Sequence, residues 1–426
     1  MPDFPSPEAL LRKLDSKNFS EAEVYFTGAS TLSVEFSGKS YKTKEFSEDA
    51  GYGVRILKNK RAGFSHTNIP RDFPKAAKTA EKLSAISPRS SFTLEPQHKS
   101  YPKPKMEDQR LKGLPPETAF SAIREILEAI RKHAEPTRVS VSISEGTESI
   151  ANTSGLSAES GCTAISIYAE AKKGRGLGYS LYSARFLPRS FSKFGSEAGR
   201  IAAAMADSKP LPSQNLTVKF SPDMLSSLLS FLMFSFDGDN KRRGISKLKQ
   251  GEKKFSSSFT LKSNPLAPAD SCCPFDGEGA PASSFPLVEK GKARNFLYDR
   301  YTASLEGTES NGSCNRTDYA SAPSPGITNL EVAPGRYTGK GPSRFLEVVS
   351  FHGLHTSDPV SGDFGVSVDI GFLHERGRKS PVTDILLTGN IFNLFNSIKH
   401  LGKARSVHGN LVSPGIWFSD VQIIGK

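Results

Sequence analysis

Residues 226–244 read SSLLSFLMFSFDGDNKRRG. Ser221, Pro222 and Asp223 stand just before them. Ser is a favoured N-cap, Pro fits the first helical turn, and Asp complements the helix dipole. The stretch is therefore a capped helix, followed by a turn and a basic run. Met224, Leu225, Leu228, Leu229, Phe231, Leu232, Met233, Phe234 and Phe236 lie on every side of it. A helix that is apolar all round is expected to be buried. Nothing in its apolar core can ligate a metal, carry a proton or attack a bond.

Strand-like segments lie on both sides. Upstream, 21–46 alternate polar and apolar residues and 51–66 follow, which predicts an antiparallel meander. Helices are expected over 6–17, 71–86 and 194–208. The clearest amphipathic helix is 115–135, with Phe120, Ile123, Ile126, Leu127 and Ile130 at helical spacing. More strands are expected over 137–155 and 163–186. Residues 87–114 are rich in Pro, Lys and Ser and predict a long exposed connection. Downstream come the strand LTVKFS (216–221) and Gly- and Pro-punctuated strands. A helix over 390–402 and a final strand over 417–425 follow. The fold class is α+β with two domains. The first, 1–208, is an antiparallel sheet with helices. The second, 216–426, is a mostly antiparallel β domain around the buried helix.

The chain has 426 residues, 36% of them hydrophobic and 23% charged, enough to bury a core. Net charge is +12, which suits acidic partners. The most basic stretch, 239–255, has no interleaved aromatics and no nucleic-acid signature, so a solvated segment is the reading and nucleic acid is not an expected partner. No secretory signal pattern and no span of about 18 apolar residues is present, which places the chain in the cytoplasm and off the membrane. Four cysteines do not make a disulfide framework, and the adjacent pair Cys272 and Cys273 lacks metal-chelating spacing.

Other chemistry is sparse. His352 and His355 fall on a strand and a turn, where side chains three apart diverge, so they are expected to line a surface or pocket. Cys314 lies near Arg316, which can lower a thiol pKa, but no base stands beside it. Asp276 and Glu278, in the turn PFDGEGAP (274–281), are expected to fix a loop through backbone N–H groups.

Several segments together resemble one family. PFDGEGAP (274–281), LVEKGKARNFLYDRYTASLEGTESNG (287–312) and ILLTGNIFNLFNSIKHLG (385–402) are similar to the C-terminal half of TldD/PmbA proteins. Residues 32–57 and 148–160 resemble its N-terminal half, so the likeness spans nearly the whole chain. Some members carry the label modulator of DNA gyrase. The resemblance implies a TldD-type subunit with His-Glu-x-x-x-His on a helix, where the histidines hold zinc and the Glu activates its water. It also implies a PmbA/TldE-type subunit of like fold without that motif, the pair cleaving peptides.

Here the flanks of the motif are present as Asp237-Gly238-Asp239 and Arg242-Arg243-Gly244. The motif itself is not. Its positions fall on Ser230, Phe231 and Ser235 in one register, and on Leu229, Ser230 and Phe234 in the other. Neither set offers a ligand pair or a base. The resemblance therefore implies a non-catalytic TldE-type subunit, with no cofactor of its own and zinc expected on the partner. Its expected partner is a TldD-type metallopeptidase subunit in a heterodimer; whether the isolated chain forms a homodimer is left open by the sequence. Its ligand is an extended or unfolded peptide. Tyr298, Arg300, Tyr301, Asn311 and Asn315 are the expected peptide-binding residues, the equal alternative being that Tyr298 and Tyr301 pack internally and Arg300 fixes a loop. The alternatives are a stand-alone gyrase or nucleic-acid modulator, and a peptidase with a different site.

Overall fold

The computed structural model describes residues 4–15 and 19–425. The N-terminal part is built on one six-stranded antiparallel sheet. Helix α1 (Pro7–Leu11) starts as its Ser6-Pro7 pair dictates, the Ser6 hydroxyl accepting from Ala9 N–H. The end of the segment read as this helix falls outside the described residues. The strands are β1 (Glu21–Ser37), β2 (Ser40–Lys58), β3 (Arg61–Thr67), β4 (Glu135–Asn152), β5 (Ser157–Lys173) and β6 (Gly176–Ala184). Their order is β3-β2-β1-β4-β5-β6, so the meander β1–β3 joins the second meander through β1 and β4.

Helix α2 (Phe73–Ser84) packs on β2 and β3. Helices α3 (Pro116–Arg131) and α4 (Ser192–Met205) cover the other half of the same sheet. Ile123, Ile126, Leu127 and Ile130 of α3 are buried as their spacing predicts, against Val139 and Val141 of β4 and Ile165 and Ile167 of β5. Helix α4 approaches β6 so closely that a Cβ on Gly178 would stand 2.3 Å from the Ala198 carbonyl oxygen.

The C-terminal half closes a β ring. Strand Leu411–Gly425 pairs with Gln214–Phe220, which pairs with Arg344–His352. That strand pairs with Asp363–Glu375, then Ile385–Asn390, which returns to Leu411–Gly425. Antiparallel pairing dominates, with a parallel contact between Arg344–His352 and Gln214–Phe220. The α+β architecture read from the sequence is the one observed. Helices α5 (Pro222–Met233), α6 (Gly238–Arg242), α7 (Arg300–Glu306) and α8 (Ile391–Asn396) belong to this half.

Three local expectations are corrected. Helix α8 ends at Asn396, and Ile398–His408 is a strand paired with Leu411–Gly425, because Ile398 and Leu401 reach Phe418 and Ile416 across the ladder. The segment 87–114 is a packed strap, with Leu94, Glu95, Met106, Asp108 and Leu111 buried. Helix α5 is not buried all round. Leu225, Leu228, Leu229 and Leu232 are buried, but Ser226, Ser227, Phe231 and Phe234 are half-buried and Ser230 is exposed. The serines recur at a spacing of three to four residues and give the helix one wet face.

Candidate functional site

Helix α5 begins where Ser221 predicts, with its hydroxyl accepting from Met224 N–H. A 3-10 turn, Phe234–Phe236, continues it. Asp237 then caps α6, accepting from the N–H groups of Asp239 and Asn240 at 2.8 and 3.0 Å. Asp239 pairs in turn with Arg242 and Arg243. The acidic and basic flanks of the stretch thus form a self-contained capped turn.

The structure describes every position that the resemblance assigns to metal ligands. Ser230 is exposed, Phe231 half-buried, and Ser235 buried in the 3-10 turn. In the other register Leu229 is buried and Phe234 half-buried. None of these side chains is a competent zinc ligand or a base. The residues present do not fit a metal on this helix. Among the described residues no group of three or more His, Cys, Asp or Glu is arranged to hold a metal ion elsewhere. His352 is exposed and pairs with Asp369 at 2.7 Å, and His355 sits in the turn after its strand.

The five residues expected to meet a peptide are divided by the structure. Asn315 is exposed and lines an interdomain cavity. Tyr298 is 8% exposed and packs against Gly238, where a Cβ would come within 2.4 Å of its ring. Asn311 accepts from Tyr298 N–H and donates to the Phe296 carbonyl, bracing their shared loop. Tyr301 meets the ring of Phe92 edge-on at 5.9 Å. Arg300 donates to the Thr93 carbonyl at 2.6 Å and pairs with Glu95 at 2.5 Å. Tyr301 and Arg300 therefore fasten the 87–114 strap to the C-terminal half.

The turn at 274–281 behaves as its acids predict. Asp276 accepts from Glu278 N–H, Ala280 N–H and Cys314 N–H at 2.9–3.0 Å. Burial and then the Glu278 carboxylate push its own carboxyl up to about 7. Glu278 accepts from Arg55 at 2.6 Å and from Arg300 N–H at 2.8 Å. Glu23 on β1 pairs with Arg55 at 2.7 Å and with Arg316. Burial alone would raise the Glu23 carboxyl, but the Arg316 and Arg55 guanidiniums outweigh it and hold it below the usual range. Two arginines and two carboxylates thus form a buried, charge-balanced cage joining the N-terminal sheet to the C-terminal half. Sequence reading missed this cage. Its trace was an Arg in the apolar run GYGVRIL and a Glu at a core position of β1.

Beside the cage lies a cavity of about 620 Å³ between β1, β4 and β5 and the loops near 271–277 and 314–318. All four cysteines line it. Cys314 is buried, and that burial, then Glu278 and Asp276, push its thiol up despite Arg316, which disfavours the thiolate.

A helix-backed sheet joined by a buried ion cage to a β ring, with a capped helix that carries no metal ligands, is the architecture of a metallopeptidase family. Three sequence profiles cover it: PmbA/TldA metallopeptidase domain 1 at 22–87, its central domain at 110–206 and its C-terminal domain at 213–425. The chain belongs to the PmbA/TldD metallopeptidase family. It is 28% identical to an uncharacterized protein of Methanocaldococcus jannaschii over 96% of this chain and 97% of that one. It is 24% identical to a metalloprotease of Methanothermobacter thermautotrophicus, over 83% and 81%. TldE from Thermococcus kodakarensis shares the fold at a TM-score of 0.89 and 23% identity, covering 98% of this chain and 99% of that one. A protein of Thermotoga maritima described as a modulator of a DNA gyrase shares it at 0.88 and 21%, covering 98% of each. Among the described residues no helix is long and apolar enough to cross a membrane.

Proposed function

We propose that this chain is the non-catalytic, TldE-type subunit of a zinc metallopeptidase. In this reading it pairs with a TldD-type subunit that carries the zinc, and it helps hold an extended or unfolded peptide for cleavage. The observation that carries the reading is that α5 and the turn after it offer no zinc ligand and no base. By the family resemblance the ligand and base positions fall on Ser230, Phe231 and Ser235, or on Leu229, Ser230 and Phe234, and none of these can serve. The fold of the solved TldE supports it. The exposed Asn315, at the mouth of the interdomain cavity, is the residue of the five best placed to touch a peptide backbone.

The test is hydrolysis of casein by three samples: this chain, a homologue bearing His-Glu-x-x-x-His, and their mixture. Zinc is measured on each protein. Activity in the mixture alone, with zinc on the homologue alone, is the expected result. Hydrolysis or stoichiometric zinc with this chain alone refutes the proposal.

A further inference from the structure

The interdomain cavity contains a cation whose hydrogen-bonding groups are largely unused. Arg185 follows β6 and reaches the cavity wall beside Cys272. Among the described residues it makes no ion pair. Its Nε is buried with no hydrogen-bond partner, and its Nη2 makes only a 3.5 Å contact with the Cys272 carbonyl. Nη1 of Arg316, another lining residue, is also buried without a partner. Arg185 as a whole is half-buried, so water reaches part of its guanidinium, but a buried N–H without an acceptor is costly until a carboxylate or similar group meets it.

The acids in the wall are occupied elsewhere. Asp276 serves three backbone N–H groups. Glu148 accepts from the Tyr25 hydroxyl at 3.2 Å and from the Ser160 hydroxyl at 3.0 Å; burial raises its carboxyl, although these bonds and the nearby Arg185 and Arg316 charges act against the rise, and it makes no ion pair with Arg185. Asp49 accepts from the Tyr319 hydroxyl, and Asp318 accepts from Ala320 N–H. With so many carboxyl groups near, a doubly charged anion is repelled and a singly charged one is tolerated. The space, about 620 Å³, is the size of a small-molecule site.

We propose that this cavity is a binding site for a small organic monocarboxylate, whose carboxylate pairs with Arg185. The pairing does not depend on the subunit reading above, since every group named belongs to this chain.

The test uses the full chain and the thiol of Cys162, which lines the same cavity from β5. Iodoacetamide alkylation of Cys162 is followed by mass spectrometry, together with the thermal midpoint. Sodium acetate and sodium butyrate are compared with sodium chloride and sodium phosphate at equal ionic strength. The carboxylates are expected to slow alkylation and raise the midpoint, and the other two salts are not. Arg185→Gln is expected to weaken acetate protection about tenfold or more, the value of a charge-assisted hydrogen bond. Arg185→Lys, which keeps the charge, retains part of it and serves if the Gln variant does not fold. Equal protection by chloride or phosphate, or full acetate protection in Arg185→Gln, overturns the proposal. So does Arg185→Lys behaving no better than a Gln variant that folds.

Discussion

Arg55 on β2 donates to Glu278, 223 residues later in the chain, at 2.6 Å, and both side chains are almost wholly buried. The contact ties the N-terminal sheet to the turn at 274–281. Removing one member of such a pair leaves a buried charge without its partner. Glu278→Gln should lower unfolding free energy by about 3–5 kcal/mol. The double variant Arg55→Met/Glu278→Gln should cost less than the sum of the two single ones. Urea titration checks both statements. Single variants within about 0.5 kcal/mol of the parent would contradict them.

Gly238 packs against the ring of Tyr298, so its lack of a side chain is a packing requirement. Gly238→Ala should destabilise by roughly 1–3 kcal/mol through overpacking. Gly244 differs: it has open space but a φ of +71°. Gly244→Ala should cost about 1 kcal/mol, from backbone strain alone. Comparing the two in one denaturation series separates crowding from conformation. Equal effects would remove the distinction.

Arg300 and Tyr301 hold the strap through Glu95, Thr93 and Phe92. Arg300→Ala should therefore expose the strap to trypsin at Lys99 and Lys105, both on the surface. Limited proteolysis with peptide mapping reads this directly. Unchanged cleavage at those sites would show that the strap is held by other contacts.

Glu347 gives the pH dependence. Burial would raise its carboxyl, but hydrogen bonds from Lys379 and His374, with Lys219 near, bring it down to about 2. A carboxyl whose folded pKa is depressed stabilises the fold above its unfolded value and loses that contribution as pH falls through the folded one. The contribution should be complete above about pH 4.5 and lost towards pH 2. After allowance for partial exposure it amounts to about 2 kcal/mol. The urea midpoint of Glu347→Gln should differ from the parent at pH 6 and converge on it near pH 2. A difference independent of pH would rule out the ionised carboxylate as its source.

The fold was largely legible where side-chain period and element agree. The stripe Ile123, Ile126, Leu127 and Ile130 located α3 and its buried face. Asp276 announced its turn because its oxygens need only local backbone N–H groups. Reading failed where distant residues decide. Ile398 and Leu401 continue a helical pattern, yet cross-strand contact with Phe418 and Ile416 draws them into a strand. Ser226, Ser227 and Ser230 were lost among the larger apolar residues of α5, although their spacing marks its wet face. Arg300 was open to two readings, ligand-facing or loop-fixing, because Glu95 and Thr93, about 205 positions away, are invisible as neighbours in the sequence. The cavity drew Cys162, Cys272, Cys273 and Cys314 together from three separate segments, a grouping that only tertiary structure creates.

Strand Leu411–Gly425 touches both Gln214–Phe220 and Ile385–Asn390 in the β ring. During synthesis, the ring's first strand emerges about two hundred residues before the one that closes it. Until then Gln214–Phe220 and Ile385–Asn390 each lack a neighbour, and their open ladders are adhesive. The six-stranded N-terminal sheet has all its strands by Ala184 and can settle early. The two halves therefore mature on the ribosome at different times, and the later one is where a nascent chain most needs protection from its neighbours.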